Sequence, residues 1–185
     1  GFELQFGVNH LGTLALTGLI HPHLDDRIVI TGSIAHKGGE IDFSALSASR
    51  SYHNWQRYQA SKLANLLHMF ELDRRLSAAG RSTQAIGCHP GVALTELTRH
   101  LPLPLRTMTP LAAPFFNSAA QGAWPTLQAA TGAHVQGGDY LGPQGLGEIS
   151  GRSGPARATR TARDPKLARE LWERSVELTG VDPGI

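Results

Sequence analysis

The sequence predicts an α/β fold in which a parallel sheet is flanked by helices, and three observations carry that prediction. A β-branched run, Arg27-Ile28-Val29-Ile30-Thr31, closes in the small residues Gly32-Ser33, as a buried parallel strand does where it meets a loop. A long helical pattern from Asn54 puts Leu63, Leu66, Leu67, Phe70, Leu72 and Leu76 on one face and stops at Gly80. A second short strand, Thr83 to Cys88, follows and is broken by His89-Pro90-Gly91. Strand, helix, strand is a crossover unit, and its handedness rule makes the two strands parallel neighbours.

The remaining elements follow in order. Phe2, Leu4, Phe6, Val8, Leu11, Leu14, Leu16, Leu19 and Ile20 recur with a mostly helical rhythm, so residues 1–21 read as a buried, partly amphipathic helix that Pro22 ends. Residues 34–53, with Gly38-Gly39, read as a loop. Beyond Thr95 the stretch Leu101 to Pro114 is too rich in proline for one regular helix and is expected to form a flap over a pocket or a packed irregular loop. Asn117 to Thr131 reads as a helix with a kink or boundary at Pro125, and Gly137 to Leu141 as a third short strand. Arg152 to Arg163 has no apolar period and reads as a solvated loop. Asp164-Pro165 opens a final amphipathic helix through Leu167, Leu171, Trp172, Val176 and Leu178, which Gly180 stops.

Bulk properties exclude several functions. With 185 residues, 41% of them apolar and 17% charged, one domain with a sizeable core is expected, and the chain reads as soluble and globular. Seventeen basic against fifteen acidic residues leave a net charge of +2, too small to point to nucleic acid or an anionic membrane. No apolar run approaches the roughly 20 residues that span a bilayer. The single Cys88 forbids an internal disulfide, leaves no thiol cluster for zinc and agrees with a reducing cytoplasm. His21 and His23, flanking Pro22, read as surface polar residues rather than metal ligands, and His36 and His89 as loop hydrogen-bonders.

Chemistry concentrates in Tyr58-Gln59-Ala60-Ser61-Lys62. Residues i and i+4 share a helix face, so the Tyr58 hydroxyl and the Lys62 ammonium can occupy one small volume, and an ammonium beside a phenol favours the phenolate. Such a pair can pass a proton to or from a substrate oxygen. Ser33, at the carboxyl end of a strand, falls on the sheet edge where ligands bind in open α/β sheets. A serine hydrolase built on Ser33 is a poor alternative, because the G-x-S-x-G elbow is missing.

Together, Asn9-His10-Leu11-Gly12, Thr31-Gly32-Ser33, Tyr58-x-x-x-Lys62 and His89-Pro90-Gly91 resemble the short-chain dehydrogenase/reductase family. Phe2 to Gly12, Ala35-His36 with Ile41-Asp42-Phe43, Ser61-Lys62-Leu63-Ala64-Asn65, and Leu171-Trp172 before Leu178-Thr179-Gly180 resemble its retinol-dehydrogenase-like and protochlorophyllide-reductase-like branch. The resemblance implies a Rossmann-like, doubly wound parallel sheet, of which residues 1–185 are the C-terminal half of a single NAD(P)-binding domain. It further implies an oxidoreductase moving hydride between NADP or NAD, with a lean to NADP, and a hydrophobic alcohol or carbonyl. Tyr58 would be the general acid/base, Lys62 would hold the nicotinamide ribose, and Ser33 would place the substrate oxygen. Asn9 would support Lys62 through a bound water, and Pro90, Gly91, Val92 and Thr95 would line the nicotinamide side. Helices 1–21 and 54–79 would pair in a homodimer. No metal is implied.

The family's phosphate loop, G-x-x-x-G-x-G, has no match in this sequence, and Thr31-Gly32 departs mildly from the small hydroxyl residue often found before the serine. The chain begins with Gly rather than Met, inside a helical pattern with no visible cap, so the expectation is that sequence is missing upstream. Activity of the 185 residues alone is then doubtful, and the competing reading is an inactive fragment that keeps only dimer-forming helices. Leu94, Leu97, Leu101, Leu103, Leu105 and Met108 are expected to make the substrate pocket apolar.

Overall fold

The computed structural model describes residues 1–45, 53–92 and 116–185. Thr95 and the apolar segment from Leu94 to Pro114 lie outside the described residues. Among the described residues, four strands form one sheet in the order β1-β2-β3-β4: Arg27–Thr31, Gln84–Cys88, Tyr140–Pro143 and Ser153–Pro155. The α/β class and the parallel pairing of β1 with β2, Ile28 opposite Ala85 and Ile30 opposite Gly87, are as the sequence predicts. β3 is parallel to β2 and begins at Tyr140, later than the glycines expected to open it. β4 runs antiparallel to β3, so the sheet is mixed.

That strand corrects the reading of Arg152 to Arg163 as solvated loop. Gly154 is covered in β4, and Ala162 is fully buried in a 3-10 turn at Thr161–Arg163. Small residues carried the burial there, so no apolar period announced it.

The first helix, α1, comprises Leu4–Phe6, a π-helical stretch Gly7–Leu11 and Gly12–Ile20. It is capped after all: the Glu3 carboxylate, buried, accepts from the Gln5 and Phe6 amides at 2.9 and 2.7 Å. α2, Asn54–Ala78, starts at the predicted residue. α3, Ala119–Thr131, opens in a capping box of Ser118 and Gln121 and continues across Pro125, which is buried inside it. α4, Pro165–Thr179, starts at the Asp164 cap, which accepts from the Lys166 and Leu167 amides, and ends at Gly180 in the left-handed region, φ 68°.

Alternation along β1 divides the core. Ile28 and Ile30 face Leu14, Met69, Leu72, Leu76 and Trp172 from α1, α2 and α4. Val29 faces the opposite layer of Ile86, Cys88, Ala129, Val135 and Leu141, under α3. Helices therefore cover both faces, and burying apolar surface at about 25 cal/mol per Å² holds the three layers together. His21 corrects the surface reading: it is buried, and its Nε2 is 2.8 Å from the Pro183 carbonyl.

Candidate active site

The site lies where β1 and β2 end. β1 stops at Thr31, and Ser33 follows in extended backbone, φ −161° and ψ 156°, as the cap of a 3-10 turn at Ile34–Gly38. Its Oγ accepts the Ala35 amide at 3.1 Å, which uses a lone pair and leaves the hydroxyl proton available to a ligand oxygen. The Ser33 carbonyl accepts from His36 Nδ1 at 2.6 Å, and His36 Nε2 accepts the Thr159 amide at 3.3 Å. One tautomer satisfies both bonds, and burial holds the imidazole below its ordinary pKa, so the ring is a neutral brace.

This turn packs on α2 at Gln59, next to Tyr58: a side chain at Gly38 or Gly39 would run into Gln59. Tyr58 and Lys62 are both half-buried, with the ammonium 5.7 Å from the phenol ring centre, and Trp55 lies against the same ring at 5.7 Å. Lys62 Nζ also reaches the Thr31 carbonyl at 3.4 Å, so the lysine ties α2 to the strand end that precedes Ser33.

Asn9 sits within the π-helical turn of α1, a distortion that often marks functional positions. Its amide donates to Ser61 Oγ at 3.0 Å, and Ser61 donates to the Tyr58 carbonyl at 2.8 Å. Asn9 is thereby fixed to the turn of α2 that carries the tyrosine and lysine.

Asn65 adds a contact the sequence reading did not assign. Its Nδ2 donates to the same Thr31 carbonyl at 3.2 Å, and its place three residues after Lys62 on one helix face was the available signal. Behind it, His10 Nε2 is 2.8 Å from Ser175 Oγ of α4, and burial takes the His10 pKa down to about 3. The Asn65 amide offsets part of that fall, yet among the described residues neither His10 Nδ1 nor Asn65 Oδ1 has a partner in good hydrogen-bond geometry. His68, stacked on Trp172 at 5.4 Å, is also buried and held down to about 4.

Pro90, Gly91 and Val92 follow the end of β2, the strand next to β1. Gly91 has φ 73°, and a side chain there would collide with the Ile149 carbonyl, so packing within the protein already requires the glycine. The Val92 amide donates to that carbonyl at 2.9 Å, while Asn117, buried, donates to the Pro90 carbonyl at 3.0 Å and accepts the Gly151 amide at 3.0 Å. His89 Nδ1 accepts the Gly91 amide at 3.2 Å, and burial lowers its pKa to about 4. Asn117 and the 144–152 loop went unread because a lone Asn and a glycine-rich stretch carry no chemical pattern.

Among the described residues, no group of three His, Cys, Asp or Glu side chains could hold a metal, and no helix is long and apolar enough to cross a membrane.

No family model matches the chain. It is 39% identical to mouse retinol dehydrogenase 12 over 187 residues, covering 98% of this chain and 55% of that protein. It is 36% identical to mouse retinol dehydrogenase 14 over 190 residues, covering 98% and 54%, and 36% identical to mouse polyprenol dehydrogenase over 195 residues, covering 100% and 56%. The chain thus spans about half the length of the curated relatives it matches. The crystal structure of an uncharacterised protein from Mycobacterium paratuberculosis superposes with a TM-score of 0.81 at 39% identity, covering 100% of this chain and 62% of that one. With the motifs resting on this fold, the chain belongs to the short-chain dehydrogenase/reductase family, in its retinol-dehydrogenase-like branch.

Proposed function

We propose that residues 1–185 form the catalytic part of a single NAD(P)-binding domain, in an oxidoreductase that interconverts a hydrophobic alcohol and its carbonyl. The observation that carries this is the joining of Tyr58, Lys62 and the Ser33 turn at one sheet edge, by the Lys62 bond to the Thr31 carbonyl and the packing of that turn on Gln59. The relatives are named as retinol and polyprenol dehydrogenases, which supports an apolar alcohol as substrate.

The residues fit one end of a nicotinamide cofactor. Half-buried Lys62 and Tyr58 offer an ammonium and a phenol to ribose hydroxyls, and the Pro90 to Val92 backbone is the facing wall in this reading. No G-x-x-x-G-x-G turn in this sequence fits the pyrophosphate. When bound, NADP or NAD supplies or accepts the hydride, and NADP is the first to test. Ser33 Oγ–H orients the substrate oxygen, and Tyr58 Oη gives it a proton in reduction or takes one in oxidation. Lys62, held at Thr31, keeps a positive charge beside the phenol, and Asn9 steadies this turn through Ser61.

The same reading pairs α1 and α2 with a second copy, supported by the exposed apolar residues Leu4, Val8, Leu16 and Leu19 on α1 and Trp55 on α2. It takes the cytoplasm as compartment, supported by one buried cysteine, Cys88. An inactive fragment is the less favoured reading, because the matched relatives are dehydrogenases over nearly all of this chain.

The test uses the chain joined to a cofactor-binding half. Tyr58→Phe is expected to cut turnover of a long-chain or ring-containing alcohol by about 10²- to 10⁴-fold, with NADPH affinity held within a fewfold. Lys62→Ala is expected to damage both. Near-normal turnover by the Phe variant would remove the assignment.

A further inference from the structure

Glu148 is the one non-glycine among the described residues with a positive φ, 61°. Elsewhere the left-handed region is occupied by glycine, as at Gly147 beside it and at Gly151. A glutamate held there is strained, and such strain persists where the surroundings over-determine it. The surroundings here act on the carboxylate. Its Oε1 accepts the Arg157 amide at 2.8 Å, and its Oε2 is 2.8 Å from Lys37 Nζ and 3.7 Å from His89 Nε2. The Glu148 side chain is only 13% exposed, and these partners keep its pKa below the ordinary value although burial opposes them.

The three contacts belong to three segments. Lys37 lies in the 3-10 turn that Ser33 caps, His89 opens the Pro90 to Val92 wall, and Arg157 follows β4. His89 accepts the Gly91 amide with Nδ1, so its Nε2 carries the proton and faces the carboxylate, enclosed and with no hydrogen-bond partner among the described residues. Tyr140 fills the space between the two loops, its ring 5.7 Å from that of His36 and 5.3 Å from that of His89. Lys37, at 41% exposed, would contribute little as a surface ion pair alone. What distinguishes the arrangement is that one carboxylate spans loops leaving adjacent parallel strands.

We propose that Glu148 is a positioning residue of the dehydrogenase site: its carboxylate clasps the Ser33 turn to the His89–Val92 wall and sets the distance between the substrate-oxygen donor and the nicotinamide side. The inference rests on the oxidoreductase reading above. Glu148 touches neither substrate nor cofactor in this role.

Two variants separate carboxylate from backbone. Glu148→Gln keeps the size and the strained φ but loses the charge, whereas Glu148→Gly accepts the φ without strain and loses the side chain. In the chain joined to a cofactor-binding half, both are expected to lower kcat by about tenfold or more, because misplacement of reacting groups by a fraction of an ångström is felt directly. The KM for a long-chain alcohol should change less than kcat. A second readout needs no turnover: by NMR, amide exchange at Ala35 and Gly91, one in each loop, should quicken together in both variants, and the His89 titration should move further down in Glu148→Gln. Parental kcat in Glu148→Gly, or unchanged exchange at both amides, would overturn the proposal. If the parent turns over no alcohol or carbonyl, the oxidoreductase reading fails, and the exchange comparison still decides whether Glu148 holds the two loops.

Discussion

Tyr140 keeps its hydroxyl buried near Gly32, without a hydrogen-bond partner among the described residues. Burial and the nearby Glu148 carboxylate push its pKa above the ordinary value, so the phenol stays protonated. An unpaired buried hydroxyl is destabilising, so Tyr140→Phe should leave the melting temperature unchanged or raise it, by up to about 1 kcal/mol of stability in chemical denaturation. A drop of that size would mean that the hydroxyl is satisfied in solution. A side chain at Gly32, before Ser33, would press on Leu66, with the Tyr140 oxygen at ordinary contact distance. At this scale the sequence was legible where chemistry has a spacing, as in Tyr58 and Lys62. Asn117 and Glu148 act through contacts made across the fold, which no spacing in the chain records, and Thr95 lies outside the described residues.

Helices show which parts of a pattern survive folding. α2 and α4 bury most of the stripe that periodicity assigned to them, with Leu63, Leu66, Leu67 and Leu72 fully enclosed, Leu171 and Trp172 nearly so, and Leu178 exposed at the end of α4. α1 does not. Leu4, Val8, Leu16 and Leu19 are exposed, while His10 and Thr17 are buried, because this helix has apolar residues on both sides and hydrophobicity alone cannot say which side meets the sheet. The inward side carries His10, which meets Ser175 of α4. The outward side is the surface proposed to pair with a second copy. Val8→Lys with Leu19→Lys should therefore reduce association in sedimentation velocity, while changing monomer stability by no more than about 0.5 kcal/mol per site. Unchanged association would place the interface elsewhere. Strand β4 was missed for a related reason, since a three-residue strand of Ser, Gly and Pro has no alternation to read.

For the molecule as a whole, the buried imidazoles set the response to acid. His10 is held down to about 3 and His68 and His89 to about 4, chiefly by burial, and His36 is lowered too. The unfolded chain takes up these protons near pH 6.5, so the stability they contribute is complete above that pH and is lost as pH falls toward the folded values, by roughly 1.4 kcal/mol per pH unit per group. Asp73, whose carboxyl burial raises, acts in the opposite sense near pH 4 and blunts the lower end. Melting temperature followed by circular dichroism should thus decline from pH 6.5 to 4, and less steeply in His68→Phe, whose ring can still stack on Trp172. A flat profile would mean that the imidazoles are hydrated. The anchor of Lys62 belongs to a different order of permanence. The Gly32 amide bonds Cys88 across the sheet, and strand alternation turns the Thr31 carbonyl away from β2 to meet Lys62 and Asn65. That acceptor is main chain, so every amino acid at position 31 supplies it. Mutational drift can erode the donors but has no means of deleting the acceptor while the strand persists, and the lysine's mooring is inherited with the fold rather than with any one codon.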